Sequence, residues 1–222
     1  MAIYKIKIKN INLLEYYSNL NVINFYNNDV KSKDNNIFDR KKKITFLLEE
    51  VKNISKVKVE NENFFYKGNL FAKIMILGFQ PSLEDINNKL IFSNKRGELL
   101  DKMLSSIMLN NDLCYFTNIF FDNDANLKLD NLLIKKILDK HLSIIQPRII
   151  LMLGDKTYNF FNNDNKNILN IHGEYTKILN NNKSIDVLTT FDPSELLTNP
   201  EYKKLAWQDL KKFRNFITKI NA

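Results

Sequence analysis

Four short apolar segments recur along this chain, and their spacing limits its possible folds more than any other feature. Each segment is four to six residues long, which is too short for a buried helix. They are Ile74–Leu77, Cys114–Ile119, Ile149–Leu153 and Ile185–Leu188. The stretches between them carry helical periodicity, and strands that alternate with helices are typical of parallel sheets joined by crossover helices. The sequence therefore predicts an α/β domain with four mostly parallel strands.

Helical periodicity also identifies the connecting elements. Apolar residues repeat every three or four positions in 97–109 and in 131–145, and a shorter apolar helix face begins at Ile44. This first face consists of Phe46, Leu47, Leu48, Val51 and Ile54. A last helix is predicted from Asn199-Pro200, where a capping residue precedes a proline in the first turn. His141 lies on the apolar side of 131–145 and is expected to be structural.

Residues 1–43 differ in composition from the rest of the chain. They are rich in Asn, Lys and Tyr and end in the charge run Arg40-Lys41-Lys42-Lys43. We interpret 1–43 as an N-terminal extension with one short strand and one short helix, followed by a single domain over 44–222. The chain of 222 residues is long enough for one well-buried core of this kind.

Composition bears on the partners and the compartment. The net charge of +8 suits a polyanion such as DNA, but it suits equally a solvated surface whose lysines reflect AT-rich coding. Cys114 is the only cysteine, so an intramolecular disulfide is excluded and a reducing cytoplasm is the simplest compartment. No run of 18 or more apolar residues occurs, so we expect no membrane partner. We also expect a monomer.

Topology indicates where a site should lie. Ligands of open parallel sheets bind beyond the carboxyl ends of the strands. Three segments follow those ends, namely Gly78–Asp85, Asn118–Asn126 and Phe191–Leu197. The chain has no Gly-rich loop of the P-loop or dinucleotide-binding type, which disfavours a nucleotide-binding protein unrelated to DNA.

Four blocks of sequence, in order, are similar to one known family. LGFQPSLEDINNKLIFSNKRGELLDKML (77–104) resembles a strand that leads into Gly-Glu-Ala-Pro-Gly, an acidic run, a Phe and a Gly-x-Leu-Leu helix. YFTNIFF (115–121) and IQPRIILMLGDKTYNFF (145–161) resemble strands that end in Thr-Asn and in Leu-Gly. FDPSELLTNPEYKKLAWQDLKKF (191–213) resembles a His-Pro-x-x-Leu-Leu motif with its closing helix. From about residue 44 to 216, the chain thus resembles the uracil-DNA glycosylase superfamily, nearest the family 4 type.

This resemblance implies both a fold and a reaction. The implied fold is a three-layer α/β/α sandwich around a central, mostly parallel four-stranded sheet. The implied activity is hydrolysis of the N-glycosidic bond of uracil in DNA, on a base taken out of the stack into a tight pocket. Such a reaction needs stabilisation of a cation on the sugar and an anion on the departing base. The implied partner is DNA that contains uracil or another damaged base.

The resemblance also implies residues that bind the base. Phe92 stands where the family has the aromatic ring that stacks on uracil, and Asn118 where it has the Asn that reads the pyrimidine edge. The alternatives are an ordinary core Phe and an Asn that turns or caps the chain after a strand. Gly78, Phe79 and Gln80 open the first loop and are expected to contact substrate. Phe79 replaces the family's Glu, and it can neither orient water nor offset a sugar cation.

The catalytic carboxylates are altered relative to the family. Asp192 stands where the family has a His before Pro, and an ionised Asp would repel the forming base anion. We predict that Asp192 has become the water-orienting carboxylate, with a supporting catalytic role for Asp85. The alternative is a decayed site in which Asp192 caps the turn Asp-Pro-Ser-Glu, and in which Glu84 and Asp85 are charges of a solvated loop.

Further residues are expected to contact the substrate or its phosphates. His172 stands where the family has an Arg before Gly, and it is predicted to meet phosphate or base. Ser194, Lys203 and Lys204 are predicted to bind DNA. The Lys- and Arg-rich last helix is also compatible with an ordinary solvated face.

The cofactor of the family is expected to be absent. Family 4 members carry four cysteines that bind an iron–sulfur cluster. The resemblance places the first two at Ile54 and Val57 and the fourth near Ile134, and the third has no counterpart in the shortened stretch Phe121–Asn126. Apolar replacements indicate that a small core takes the place of the cluster. We therefore predict a chain that still folds, without a cofactor and without a metal.

Two functions follow from these patterns. The first is a monofunctional glycosylase that releases uracil, or a related deaminated base, from DNA. The second is a catalytically impaired, glycosylase-like module that keeps the pocket and binds DNA. The surroundings of the Asp192 carboxylate separate them, because reach to a water near the sugar favours catalysis and engagement with backbone amides favours decay.

Overall fold

The computed structural model describes residues 30–54, 62–121 and 131–221. The strands are β1 (Tyr66–Gly68), β2 (Ile74–Gly78), β3 (Cys114–Asn118), β4 (Ile149–Leu153), β5 (Tyr175–Asn180) and β6 (Lys183–Thr190). The helices are α1 (Val30–Ile54), α2 (Glu62–Phe65), α3 (Leu83–Asn88), α4 (Asn94–Ser105), α5 (Asn131–Ile145), α6 (Asp155–Asn162), α7 (Pro193–Thr198) and α8 (Lys203–Asn221). Short 3₁₀ turns span Ile168–Asn170 and Pro200–Tyr202.

One six-stranded sheet organises the domain, in the order β1-β3-β2-β4-β6-β5. Its central strands β3, β2, β4 and β6 are parallel and correspond to the four apolar segments, which confirms the predicted parallel sheet. Two antiparallel edge strands were not predicted: β1 pairs with β3 and β5 pairs with β6. The β5–β6 hairpin turns at Asn181 and Asn182, both of which have positive φ, as a tight hairpin turn requires.

Helices cover both faces of the sheet, which confirms the three-layer sandwich. Strand β3 shows the two layers directly, because its side chains alternate between them. Tyr115 hydrogen-bonds His141 of α5 on one face, and on the other face the Phe116 ring lies 6.2 Å from the Phe92 ring. Helix α1 packs against α5, whereas α4 packs against α7 and α8. Because β2, β3 and β6 belong to the parallel part of the sheet, the residues at their carboxyl ends lie at one end of it.

Several predicted helices are present with shifted ends. Helix α5 matches the predicted 131–145, and α4 begins three residues before the predicted 97 and ends at Ser105. The last helix follows a 3₁₀ turn that starts at Pro200. No helix in the described ranges combines the length and hydrophobicity of a membrane span.

Helix α1 runs through the boundary that the sequence suggested between residues 43 and 44. The guanidinium of Arg40 donates to the carbonyl oxygens of Leu70 and Ile145 at 3.0 and 3.2 Å. Side chains of the predicted extension thus contact the domain. Leu47 is buried as predicted, whereas Phe46 is 74% exposed and does not belong to the apolar face.

His141 is a buried histidine that serves the core, as its apolar helix face indicated. Its Nε2 lies 2.5 Å from the Tyr115 hydroxyl, and its ring stacks on Phe65 with centroids 4.9 Å apart. Burial lowers the pKa of His141 from 6.5 to about 3, because the charged imidazole would lose its water. The folded protein therefore keeps this imidazole neutral at pH values where an unfolded chain protonates it.

We predict that this histidine makes the fold less stable in mild acid. Between pH 6.5 and about 3 the unfolded chain binds a proton at His141 that the folded chain does not bind, so the free energy of unfolding falls as the pH falls. Urea unfolding at pH 7 and pH 5 measures this loss of stability in two variants. The Tyr115→Phe variant keeps the imidazole of His141 and should show the loss. The double variant Tyr115→Phe/His141→Phe should lose much less stability over the same interval, and equal losses would contradict the assignment.

Candidate active site

The carboxyl ends of β2 and β3 bring three predicted residues together. Gly78 lies beside Asn118 in the parallel register. A Cβ on Gly78 would lie 2.3 Å from the Oδ1 of Asn118 and 3.0 Å from the Cζ of Phe92. Only glycine fits at this point, so its missing side chain is what allows the amide and the aromatic ring to approach the same strand end.

Asn118 has a buried amide without a partner. The residue is 2% exposed, and neither Oδ1 nor Nδ2 forms a hydrogen bond within the described part of the chain. An unpaired buried polar group costs about 1–3 kcal/mol, so such groups are rare in folded proteins. An amide offers one acceptor and two donors at a single position. Asn118 is therefore poised to bind a ligand that presents a complementary edge.

Phe92 is held in an unusual backbone conformation. Its φ is +50°, which is rare for an aromatic residue. Gly97 makes this possible, because a Cβ at Gly97 would lie 1.8 Å from the carbonyl oxygen of Phe92. The Phe92 ring is 2% exposed, and the guanidinium carbon of Arg96 lies 4.7 Å from its centroid.

Arg96 links the two acidic loops of the site. This buried side chain donates from Nη1 to Asp85 Oδ2 at 3.1 Å. It also forms a bidentate pair with Asp192, from Nε to Oδ1 at 3.1 Å and from Nη2 to Oδ2 at 2.8 Å. Sequence analysis missed Arg96. The sequence offered one signal for it. Arg96 lies in the first turn of α4, the helix that follows Phe92, and this turn faces the site.

Asp85 holds the first loop in place. Its Oδ1 accepts from the backbone N–H and the hydroxyl of Ser93, and its Oδ2 accepts from the backbone N–H of Ser82 and from Arg96. The Ser82 hydroxyl accepts in return from the backbone N–H of Asp85, which completes a capping box at α3. All four acceptor positions of this buried carboxylate are thus filled.

Asp192 retains one acceptor position. Its Oδ1 accepts from Arg96 Nε and from the backbone N–H and hydroxyl of Ser194, which is the capping arrangement that the sequence offered as an alternative. Its Oδ2 accepts only from Arg96 Nη2 within the described residues, and the side chain is 18% exposed. Oδ2 can therefore accept one further hydrogen bond from a water or a ligand.

The charge of Arg96 keeps Asp192 ionised. Burial tends to raise the pKa of Asp192, but the Arg96 charge and the hydrogen bonds from Arg96 and Ser194 outweigh it and hold the pKa below its ordinary value. Asp85, Arg96 and Asp192 together contain two carboxylates and one guanidinium. Acidic side chains therefore outnumber basic ones in this group beside the strand ends.

Phe79 and Gln80 follow Gly78 at the mouth of the site, where both are partly buried. The Phe79 ring lies 5.0 Å from the Phe120 ring, and Phe120 lies 5.7 Å from Phe160. Phe79, Phe120 and Phe160 therefore form a row of aromatic rings, and Phe79 occupies the position where the resemblance places a carboxylate.

His172 precedes β5 in the chain and lies beside the carboxyl end of β6. It pairs with Asp209, a residue that sequence analysis missed. Its Nδ1 lies 3.0 and 3.2 Å from the two carboxylate oxygens of Asp209, and Asp209 also accepts from the Thr190 hydroxyl at 2.9 Å. Burial raises the pKa of Asp209, although the bonds from His172 and Thr190 oppose that shift. The His172 ring packs 5.1 Å from Phe191, next to Asp192 in the chain. Its contacts are thus on the α8 side of the strand end, whereas Asn118 lies on β3.

The predicted DNA-binding residues lie on the surface near this end of the sheet. Ser194 is exposed in the first turn of α7, and Lys203 and Lys204 are exposed in the first turn of α8. Their side chains are accessible to a partner.

A family comparison decides the relationship of the chain to known proteins. The sequence model of the uracil DNA glycosylase superfamily matches residues 65–211, which include all three loops of the site. The chain belongs to this superfamily. The fold of the superfamily accounts for the parallel sheet.

Curated relatives within the superfamily are named type-4 uracil-DNA glycosylases. The protein from Sulfurisphaera tokodaii is 29% identical over 152 residues, which cover 64% of this chain and 69% of the relative. The protein from Thermotoga maritima is 27% identical over 160 residues, covering 69% and 82%. The protein from Archaeoglobus fulgidus is 25% identical over 158 residues, covering 65% and 77%.

The residues present do not fit the iron–sulfur cluster that the resemblance to family 4 implies. Such clusters are bound by several cysteine thiolates, and this chain has one cysteine. Cys114 is buried within β3, where burial raises the pKa of its thiol. Ile134, near the place of the fourth cysteine, is buried in the core, whereas Val57 and the side chain of Ile54 lie outside the described residues. Within the described ranges, His, Cys, Asp and Glu side chains form no group of three or more that could hold a metal ion.

We predict that Arg96→Met destabilises the protein by ~3–5 kcal/mol at pH 7, because two buried carboxylates lose their shared cation. Urea unfolding measures this change. The deficit should shrink at pH 4.5, where carboxylates without a cation become protonated. Lys43→Met breaks an exposed ion pair with Asp39 and should change stability by less than ~1 kcal/mol. Equal effects of the two substitutions would show that the Arg96 pairs contribute little.

Proposed function

We propose that this protein removes uracil, or a related deaminated pyrimidine, from DNA by hydrolysing the N-glycosidic bond. The observation that carries the proposal is the buried, unpartnered amide of Asn118 beside Gly78 and Phe92. Membership of the superfamily supports the same reaction class, since its curated relatives are named uracil-DNA glycosylases. DNA that contains the altered base is the proposed substrate.

Asn118 and Phe92 are proposed to recognise the base. The edge of uracil presents an N–H donor next to a carbonyl acceptor, and the amide of Asn118 can pair with both. The Phe92 ring offers an apolar face for stacking. Both residues are 2% exposed, so a base that enters must move the side chains around them, including Arg96 over the ring. Binding of the flipped base is thus coupled to rearrangement at Arg96.

The two charges that develop in the reaction are proposed to be stabilised by different groups. The Nδ2 of Asn118 donates to the departing base anion. The net negative group of Asp85, Arg96 and Asp192 offsets the cation on the sugar. Asp85 acts as a positioning residue, because its acceptor positions are filled.

Asp192 is proposed to orient the attacking water through its free acceptor position on Oδ2. Its lowered pKa makes it a weak proton acceptor, so orientation and charge are its main contributions. The bond to the base breaks first, and the oriented water then forms a bond to C1′ of the sugar cation. Its proton passes to the released base anion or to solvent, so little basicity is required of Asp192.

A second function is favoured by a specific observation. Both oxygens of Asp192 are already engaged, and Ser194 holds Oδ1 through its backbone N–H and its hydroxyl. Phe79 also occupies the place of the carboxylate that the family resemblance implies. These features suit a module that recognises the altered base in DNA without hydrolysing it.

The test is release of uracil from single- and double-stranded oligonucleotides, each containing one uracil, with protein in excess. We predict that Asn118→Ala lowers the single-turnover rate by ~100-fold or more, because one donor to the base anion is lost. Asn180→Ala is the matched control, since Asn180 is also buried with an unpaired Oδ1 but lies at the β5–β6 hairpin. It should leave the rate unchanged. Equal rates for Asn118→Ala and the parent protein would exclude the proposed recognition.

Asp192→Asn tests the mechanism separately. The change keeps an oxygen for the Ser194 cap but removes the negative charge, and we predict a rate about 100-fold lower. An unchanged rate would refute the role of Asp192 and leave the glycosylase activity standing. If the parent protein binds the uracil oligonucleotide but releases no base, the second function replaces the first.

A further inference from the structure

One face of helix α8 has an unusual combination of residues. The exposed side of the helix carries the adjacent pair Lys203 and Lys204, followed at spacings of three or four positions by Trp207, Lys211 and Arg214. The opposite side consists of Ala206, Asp209, Leu210 and Phe213, all of which are buried. We call the first group the Trp207 face.

Trp207 is the aromatic centre of this face. It is 42% exposed, which leaves a large apolar area of the biggest aromatic side chain accessible. The ammonium of Lys211 lies 5.8 Å from its ring centroid. Arg214 lies at the far end of the face and contacts the sulfur of Met108, another exposed side chain. The indole is therefore open to a partner and bordered by cations.

The charges of the Trp207 face are uncompensated. Lys203, Lys204, Lys211 and Arg214 form no ion pair with any described residue. Asp209, the acidic residue within this stretch of α8, points inward to Thr190 and His172. Four cations without carboxylates create a local positive potential that favours a polyanion.

The Trp207 face begins beside the candidate active site. Tyr202 directly precedes it in the chain, and the Tyr202 ring lies 5.3 Å from the Phe191 ring. Phe191 in turn directly precedes Asp192, which pairs with Arg96. A strand whose flipped base enters the site can therefore continue along α8.

We propose that the Trp207 face binds single-stranded DNA, with phosphates on its lysines and arginine and an unpaired base stacked on the indole. This proposal deepens the proposed function and rests on it for the choice of DNA. A duplex hides the faces of its bases, whereas a single strand exposes them to an aromatic side chain flanked by cations. The substrate class is thus uracil in single-stranded or locally unpaired DNA.

Trp207 is the only tryptophan in the chain, so intrinsic fluorescence reports on this face directly. The experiment titrates the full chain with an oligonucleotide that lacks uracil, as a single strand and as the matched duplex. We expect quenching by the single strand and a higher affinity for it than for the duplex. No quenching, or tighter binding of the duplex, overturns the proposal. So does a response to anionic phospholipid vesicles without a response to the oligonucleotide.

Variants locate the binding surface. Trp207→Ala should weaken single-strand binding, measured by anisotropy of a labelled oligonucleotide, by about 5- to 150-fold, the usual effect of losing one stacked base. Phe46→Ala is the control, because it removes an even more exposed aromatic ring from α1, and it should leave the affinity unchanged. Lys203→Gln and Lys211→Gln should each reduce the slope of log affinity against log salt by about 0.7. Equal affinities for Trp207→Ala and the parent protein overturn the proposal.

The uracil-free oligonucleotide separates this proposal from the proposed function. Because it offers no uracil to the candidate active site, its binding is measured independently of base release. Quenching without uracil release supports the Trp207 face and removes the glycosylase activity. Uracil release without quenching supports the glycosylase activity and overturns the proposal for the Trp207 face.

Discussion

The guanidinium of Arg96 is the contact on which the site depends. It joins Asp85, in the loop after β2, to Asp192, in the loop after β6, across the end of the sheet. Burying three charged groups is costly, and the arrangement is tolerable because nearly every polar atom in it is paired. The same two carboxylates also accept backbone hydrogen bonds at the starts of α3, α4 and α7, from Ser82, Ser93 and Ser194. These bonds order the loops around Gly78 and Phe92 in the protein without substrate.

Much of the fold could be predicted because buried strands consist mainly of apolar residues. Strands β2, β3 and β4 are buried throughout, and β6 is mostly buried from Ile185 onward, so each contains an apolar run. The edge strands leave a weaker mark: β1 has three residues, and β5 alternates exposed with buried side chains. The length of α1 could not be predicted, since Arg40 reaches carbonyls 30 and 105 residues away that no local pattern reveals.

Part of the site could be predicted for a topological reason. Gly78 and Asn118 end neighbouring parallel strands, so any correct assignment of β2 and β3 brings them together. The position of Arg96 after Phe92 was only a weak signal, because whether an arginine is buried depends on carboxylates that the fold brings to it from elsewhere in the chain. The role of Asp209 was difficult to predict for a similar reason. It lies in a helix crowded with lysines and resembles a solvated charge until β6 places Thr190 beside it.

The unpaired amide of Asn118 has a consequence for base selectivity. Since neither amide atom is hydrogen-bonded within the described residues, no such bond decides which way the group points. A half-turn about its last side-chain bond exchanges donor and acceptor, and the two orientations suit the opposite edges of uracil and cytosine. In the free protein, the amide of Asn118 can thus adopt either orientation. Under the proposed function, discrimination between the two pyrimidines would depend on the groups that hold the amide in one orientation once the base has bound.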